Sequence, residues 1–516
     1  MVVLQSFILT PNYDDGQAAY WISNTIDFEN PFYSDYFETR WVVIKIPVLI
    51  MALGFTYLFP FSFAFPAALY GILCILCSCL SYKVTRFYFN KKTALLCSQL
   101  FLYSLLVHNW ICPTRPELWL LSVILAVLYL FELYHKNRQI KHLILISLFV
   151  GVFGLPLHSN ASILYVYLSG YLVFNRAIFS SKELRIFVTS LAITSIIGIS
   201  IILFPDPVES IGSLKRLMYE SENRLIPNII KPWRYLFFIH WVYYKYLIVF
   251  FTLFSGVWII ENWKEFYQLI PPNVRRYKNI FIYFISAVFA IEVLPAADWT
   301  VYMVYYFFPI SFVASKIFIF QISRKGQYII LTIAIFALIR FIAIHISLSD
   351  VLDHSNIIKL VIFYLPIIAL IMFFNKIRLI LFYGVLYLGL SLNIFFLYHD
   401  WMVYNETKSI YEIHLDQPII STAEFNWINR SNTNYAFAPF LRNSNPSDLN
   451  RGIVIFGETD ASRTYPLETF LKYCSDCDLE LIGEISSSFN PRVGNKFKGL
   501  KVYRYSGFDV INSPFK

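Results

Sequence analysis

The chain has 516 residues, 57% hydrophobic and only 15% charged, whereas an ordinary soluble domain carries roughly 25% charged residues, so a water-soluble fold is excluded. Fifty Phe and 37 Tyr fit a membrane protein, because amphipathic aromatics gather where hydrocarbon meets headgroups. The formal charge of +9 does not point to nucleic acid: the basic residues are spread through short loops between apolar runs instead of forming one patch.

The first stretch, Met1 to Thr10, is apolar but has neither a basic start nor a small-residue cleavage site, so no cleavable signal peptide is expected. It reads as the outer end of a first helix that begins before this start, the alternative being a chain that begins outside. A first outer loop, 11–59, follows. It opens on PNYDDGQAAYWISN, where the adjacent carboxylates of Asp14 and Asp15 stand at the membrane surface. A carboxylate there can deprotonate an attacking hydroxyl or help hold a divalent cation, and a like-charged neighbour or partial burial raises its pKa toward the useful range. The plainer alternative is an Asx-type turn before Gly16. Residues 41–59, interrupted by Lys45 and Pro47, read as interfacial or re-entrant helices leading into the first full span.

A helix needs about 20 apolar residues to cross the roughly 30 Å hydrocarbon layer. Twelve runs come near that length: 60–81, 93–111, 118–134, 143–158, 160–174, 186–204, 236–260, 280–295, 301–320, 328–347, 357–374 and 377–398. Lys83, Arg86, Lys91, Lys92, Lys136, Arg138, Lys141, Arg176, Lys182, Arg185, Lys264, Arg275, Arg276, Lys278, Lys316, Arg324, Lys325, Lys376 and Arg378 all fall in alternate loops, which assigns those loops to the cytoplasm. The opposite loops hold most of the acids.

Those opposite loops also hold the residues suited to chemistry. In HNWICPTRPELW, Arg115 offers a planar fork to a phosphate and Glu117 can orient it or bind metal; a solvated ion pair is the bland alternative. The turn LPLHSNAS places His158 where it can contact metal or sugar, or serve as an interfacial hydrogen-bonding residue. The long loop 205–235 carries Lys215, Arg216, Arg224, Lys231 and Arg234, positive charge on the side where the topology rule disfavours it. That departure suggests an anion handled there, a lipid-linked phosphate or an anionic headgroup. Asp298 opens a segment with Tyr302, Tyr305, Tyr306 and Pro309, an acid beside rings that can stack on sugars or form an aromatic belt.

From Asp400 the character changes to polar, with β-like runs at 452–456, 479–485 and 500–505 and a helical stretch near 467–473. The expected fold is mainly α: a polytopic transmembrane helical bundle of about 12–13 spans over 1–398, followed by a small extracytoplasmic α/β domain over 399–516. Cys474 and Cys477 form a CxxC pair, expected to be a structural disulfide if that region is outside. Cys74, Cys77, Cys79, Cys97 and Cys112 lie in or at the edge of apolar runs and read as packing residues.

The acidic doublet opening the first outer loop, the surface helices after it, the Arg-Pro-Glu turn at 115–117, the His-x-Asn turn at 158–160 and the Tyr-rich span with Pro309 resemble, in order and sidedness, the integral-membrane C-type glycosyltransferase superfamily. That superfamily includes protein O-mannosyltransferases and the bacterial enzymes that transfer aminoarabinose to lipid A. The resemblance covers roughly residues 10–320, and one departure is Ser159, where the family has Pro after the turn His. It implies an inverting transfer from a polyprenyl-phosphate-linked sugar to a glycan, lipid or protein acceptor on the extracytoplasmic face of the plasma (inner) membrane. It further implies Asp14 or Asp15 as base or ligand of a divalent cation, and a donor phosphate held by Arg115, Glu117, Lys231 and Arg234. His158 and Asp298 are the further metal or sugar contacts. Two rival classes remain on sequence grounds: a polytopic transporter, and an O-antigen ligase or polymerase using a lipid diphosphate.

Overall fold

The computed structural model describes residues 64–106, 116–157, 161–203, 278–287, 289–290, 304–317, scattered helical positions between 383 and 409, and strands and flanks at 419–421, 434–436, 451–456, 477–485 and 500–507. Its helices are α1 (Ala64–Arg86), α2 (Lys91–Leu106), α3 (Glu117–Asn137), α4 (Ile140–Leu148) running into a π turn (Phe149–Gly154), α5 (Ser162–Asn175), α6 (Ser181–Leu203), α7 (278–287) and α8 (Val304–Ile317). The apolar runs at 60–81, 93–111, 118–134, 186–204, 280–295 and 301–320 each coincide with one of these helices. The two shorter runs, 143–158 and 160–174, become α4 with its π turn and the 14-residue α5. The runs at 236–260, 328–347 and 357–374 lie outside the described residues.

Helix boundaries follow local chemistry. Lys83 and Arg86 occupy the last turn of α1, where cations offset the carbonyl end of the helix dipole. Asn90 then caps α2 by accepting the Thr93 N–H at 2.9 Å. Helix α3 stops at Arg138, which adopts the left-handed region at φ 52° and donates its N–H to the Tyr134 carbonyl. Ser180 and Glu183 form a reciprocal capping box at the start of α6, with Ser180 N–H to Glu183 Oε2 at 2.8 Å and Glu183 N–H to Ser180 Oγ at 3.2 Å.

Lipid offers no hydrophobic drive between helices, so small residues and interhelical hydrogen bonds set the packing. The Ser78 and Ser98 hydroxyls, 2.7 Å apart, join α1 to α2. Gly198 of α6 meets the π turn: a Cβ there would lie 2.0 Å from the Gly151 carbonyl oxygen, and a Cβ on Gly151 would lie 2.4 Å from the Thr194 backbone. Thr194 Oγ1 bonds the Ser147 carbonyl beside this contact. Gly198→Ala is therefore expected to force α6 off α4, at a cost of about 1–3 kcal/mol for overpacking, read as a lower unfolding temperature in detergent.

One end of the bundle collects the basic loops. Glu132, near the end of α3, accepts from the Tyr88 hydroxyl in the α1–α2 turn and, at 2.7 Å, from Asn279 Nδ2 at the start of α7. Burial, reinforced by the Glu132 charge, pushes the Tyr88 phenol well above its ordinary value, so it stays a donor. Arg138 reaches the Ile178 carbonyl at 2.8 Å, Lys278 reaches that of Phe174, and Phe312 of α8 meets Tyr88 edge-on at 5.3 Å. Glu132→Ala is expected to take this acceptor from two buried donors, at about 1–3 kcal/mol each; Glu132→Gln, which keeps an acceptor, is expected to lose less in the same thermal assay.

Among the described residues, α1, α3 and α6 contain spans long and apolar enough to cross a membrane, at Pro66–Arg86, Glu117–Asn137 and Ser181–Ile201. Helix α3 is the central one, buried along most of its length, while α6 turns Val188, Ile193, Ile196 and Ile199 outward. Such a face is at home only in lipid. Cys74, Cys77 and Cys97 are free thiols buried in the packing.

Helical positions are described from Tyr383 through Leu390, Leu397 and Trp401 to Ser409. Tyr383 donates to Gln99 Oε1 of α2 at 2.9 Å, and the Tyr398 and Trp401 rings stack at 5.8 Å. Beyond them a five-stranded sheet forms from β1 (Ile419–Ser421), β2 (Asn434–Ala436), β3 (Arg451–Phe456), β4 (Asp478–Ile485) and β5 (Leu500–Ser506), in the order β2-β1-β3-β5-β4. β1 runs parallel to β2 and β3, while β5 is antiparallel to β3 and β4. Among the described residues, Ile453, Val454, Val502 and Tyr505 supply its buried apolar side chains. Cys477, just before β4, is disulfide-bonded; the helical stretch expected near 467–473 lies outside the described residues.

Candidate active site

The end of the bundle opposite the basic loops is where α3 begins. Pro116 is its N-cap residue, in a helical conformation at φ −76° and ψ −10°, and its carbonyl accepts the Leu120 N–H at 2.8 Å. Proline's fixed φ suits a helix start, and the carboxylate that follows, Glu117, lies in the first turn, where the helix dipole favours negative charge. Glu117 has no solvent exposure.

Its depth is set by α1. Cys77 Sγ lies 3.9 Å from the Leu118 carbonyl oxygen, and Cys77 is 13 residues from Ala64, about 20 Å along a helix rising 1.5 Å per residue. Glu117 therefore lies beside α1 at the level of Cys77. A fully buried carboxylate is costly to keep in an apolar bundle, which makes Glu117 a candidate functional residue.

The described residue Gly154, four residues before the His-x-Asn turn, also packs against α3. A Cβ on Gly154, the last residue of the π turn, would lie 2.6 Å from Leu164 Cδ1 and 3.6 Å from Val123 Cγ1. The end of the π turn thus packs between the second turn of α3 and the start of α5. Pro116 and Glu117 on one side, and Leu157 and Ala161 on the other, are the described flanks of the Arg-Pro-Glu and His-x-Asn turns, which themselves lie outside the described residues.

Of the residues assigned as base, phosphate, metal or sugar contacts, Glu117 is the one within the described residues. Asp14, Asp15, Arg115, His158, Lys231, Arg234 and Asp298 lie outside them. Tyr305 and Tyr306, read as rings available for stacking, are buried in the bundle core at 0% and 4% exposure; the aromatic run of α8 packs against α2, with Phe308 edge-on to Phe101 at 6.0 Å. No group of three or more His, Cys, Asp or Glu with metal-binding proximity occurs among the described residues. Sequence reasoning passed over Glu132 and Tyr283. Each is an isolated polar residue in an apolar run, and only the partners that meet it distinguish it.

Residues 46–202, under a third of the chain, match the family model described as dolichyl-phosphate-mannose-protein mannosyltransferase. No curated protein matches the sequence. Nearly the whole chain shares the fold of ArnT from Cupriavidus metallidurans: its crystal structure bound to undecaprenyl phosphate aligns with a TM-score of 0.58 at 12% identity, covering 97% of this chain and 96% of that one. Its apo structure gives 0.57 at 11% identity with the same coverage. The oligosaccharyltransferase AglB from Archaeoglobus fulgidus aligns at a TM-score of 0.40 and 14% identity, over 83% of this chain and 63% of that one. The chain thus resembles the integral-membrane C-type glycosyltransferases in the order of its motifs, in a family model matched across α1 to α6, and in the fold of nearly its whole length.

Proposed function

We propose that the protein is a membrane glycosyltransferase that moves a sugar from a polyprenyl-phosphate donor to an acceptor on the extracytoplasmic face, with inversion at the anomeric carbon. The observation that carries this reading is Glu117, a carboxylate of zero exposure at a helix start deep in the bundle, directly after Arg115 and Pro116. Undecaprenyl phosphate in the ArnT structure supports a lipid phosphate as the donor's carrier.

The chemistry asked of the protein is modest. Phosphate is a good leaving group and stays anchored in the bilayer by its lipid, so the chain must supply a base, cations for the phosphate and a groove open to lipid. Asp14 or Asp15 takes the acceptor's proton. Arg115, oriented by Glu117, holds the donor phosphate together with Lys231 and Arg234. A divalent cation is assigned to the Asp14 end, with His158 and Asp298 as further metal or sugar contacts. Sidedness rests on the basic loops gathering at the end away from Glu117 and on the Cys477 disulfide, a bond of oxidising compartments.

Transport is the rival with an observation of its own, since Glu117 and Glu132 are carboxylates buried within spans. Glu132 is, however, clamped by donors from two other elements, which suits a fixed brace better than a travelling ion's site. Mass spectrometry of glycans and lipid-linked sugars from cells with and without the protein tests the proposal. A missing saccharide with accumulated lipid-linked sugar is expected; unchanged glycans with altered uptake or efflux would favour transport.

A further inference from the structure

Helix α7 opens on Lys278, and Phe281, Ile285 and Phe289 follow at three, seven and eleven residues, the spacing of one helix face. Their side chains are 61%, 51% and 48% exposed. At 1.5 Å per residue this stripe runs about 16 Å, close to half of the roughly 30 Å hydrocarbon layer. An ammonium thus heads an apolar lane about one leaflet deep.

Helix α5 supplies the other side of the lane. A Cβ on Gly170 would lie 3.0 Å from Ile282 Cγ2, so α5 and α7 touch, and Val173 and Phe174 of α5 also face outward. Lys278 Nζ donates to the Phe174 carbonyl and stands 5.5 Å from the centroid of the Phe174 ring, within cation–π range. Four residues on, the Ile178 carbonyl accepts from Arg138 at 2.8 Å. Two cations, one from α7 and one from the end of α3, are therefore fixed about one helical turn apart at the end of α5. Holding the carbonyl end of a helix is an ordinary use of such residues. A carbonyl is neutral, however, so these bonds fix the charges without cancelling them. Among the described residues the acids at this end are Glu132, buried between Tyr88 and Asn279, and Glu183, engaged in the capping box with Ser180.

We propose that this face of α5 and α7 binds an anionic phospholipid, its headgroup phosphate met by Lys278 and Arg138 and an acyl chain lying along Phe281, Ile285 and Phe289. Fixed cations at the membrane boundary select an anionic headgroup over a zwitterionic one, and the length of the lane suits a chain of the same leaflet. The site is at the basic-loop end, away from Glu117, so it is separate from the place assigned to the sugar donor. That this leaflet is the cytoplasmic one rests on the sidedness proposed above; the lipid site itself does not.

The test mixes the full-length protein in detergent with equal amounts of dioleoyl phosphatidylglycerol and dioleoyl phosphatidylcholine, which differ only in headgroup, and weighs the retained lipids by native mass spectrometry. Wild type is expected to retain phosphatidylglycerol in preference. A Lys or Arg near an anionic surface contributes roughly fivefold in affinity, so the variant carrying Lys278→Gln and Arg138→Gln is expected to lose up to about twenty-five-fold of that preference. Lys278→Arg, which keeps the charge, should retain it. Lys91→Gln with Lys92→Gln removes equal charge from α2, which packs against α1 and α8, and is expected to leave the preference unchanged. Equal retention of the two lipids by wild type overturns the site without any variant having to fold. So does an equal loss in both double variants, because charge anywhere at this end would then hold the lipid.

Discussion

Asp14→Asn is expected to lower kcat by about 10²–10⁴-fold, the usual contribution of a positioned general base, while the protein still inserts and folds. Asparagine keeps the size and polarity of aspartate and loses only the ability to take a proton, so the loss would be chemical. Asp15→Asn separates the members of the doublet: the base is the one whose loss costs rate at saturating donor. If one carboxylate instead holds a divalent cation, its Asn variant should regain rate as the cation concentration is raised, because weakened affinity is offset by mass action. The measurement is transfer by purified protein from a synthetic polyprenyl-phosphate sugar. A normal rate in the variant carrying both substitutions would remove Asp14 and Asp15 from the reaction.

Arg115→Ala is expected to cost about 10²–10³-fold in kcat/KM, the scale for losing one preorganised group that stabilises developing charge. The charge it would hold grows as the glycosidic bond breaks and the phosphate leaves. Arg115→Lys should recover only part of the loss, because an ammonium keeps the charge but not the planar two-pronged fork. Glu117→Gln probes the other half of the turn. Removing the negative charge beside Arg115 should mislocate the guanidinium and raise donor KM, since Glu117 is buried where water cannot replace it. Equal donor kinetics in wild type and Arg115→Ala would overturn the phosphate assignment.

Much of the bundle was legible because hydrocarbon imposes a simple rule on length and polarity. The runs at 118–134 and 186–204 anticipated α3 and α6 within a few residues, whereas the Ser180–Glu183 box that starts α6 emerged only with the structure. The β-runs at 452–456, 479–485 and 500–505 became β3, β4 and β5. β1 and β2, at three residues each, are too short to show alternation and take their conformation from their neighbours. The π turn was illegible for another reason. Phe149–Gly154 is as apolar as any helix, and the close approach of Gly151 to Thr194 and Gly198 that accompanies it lies 43 to 47 residues away. At the site, the sequence marked Glu117 as a polar residue in an outer turn, but not its burial, which depends on α1 packing beside the start of α3. Pro309 was visible only as part of a Tyr-rich segment, and the bond from the Tyr283 hydroxyl to the Tyr305 carbonyl became evident only with α7 and α8 side by side.

The helical positions running from Tyr383 to Ser409 bear on how the polar C-terminal region can be handled in the laboratory. A cut or an inserted tag at the polarity change near Asp400 would fall between Tyr398 and Trp401, whose stacked rings belong to a single turn. Severing that turn would leave two frayed ends with exposed aromatics, prone to clump on purification. A cut past Ser409, the last of these described helical positions, would keep the Tyr398–Trp401 stack with the bundle.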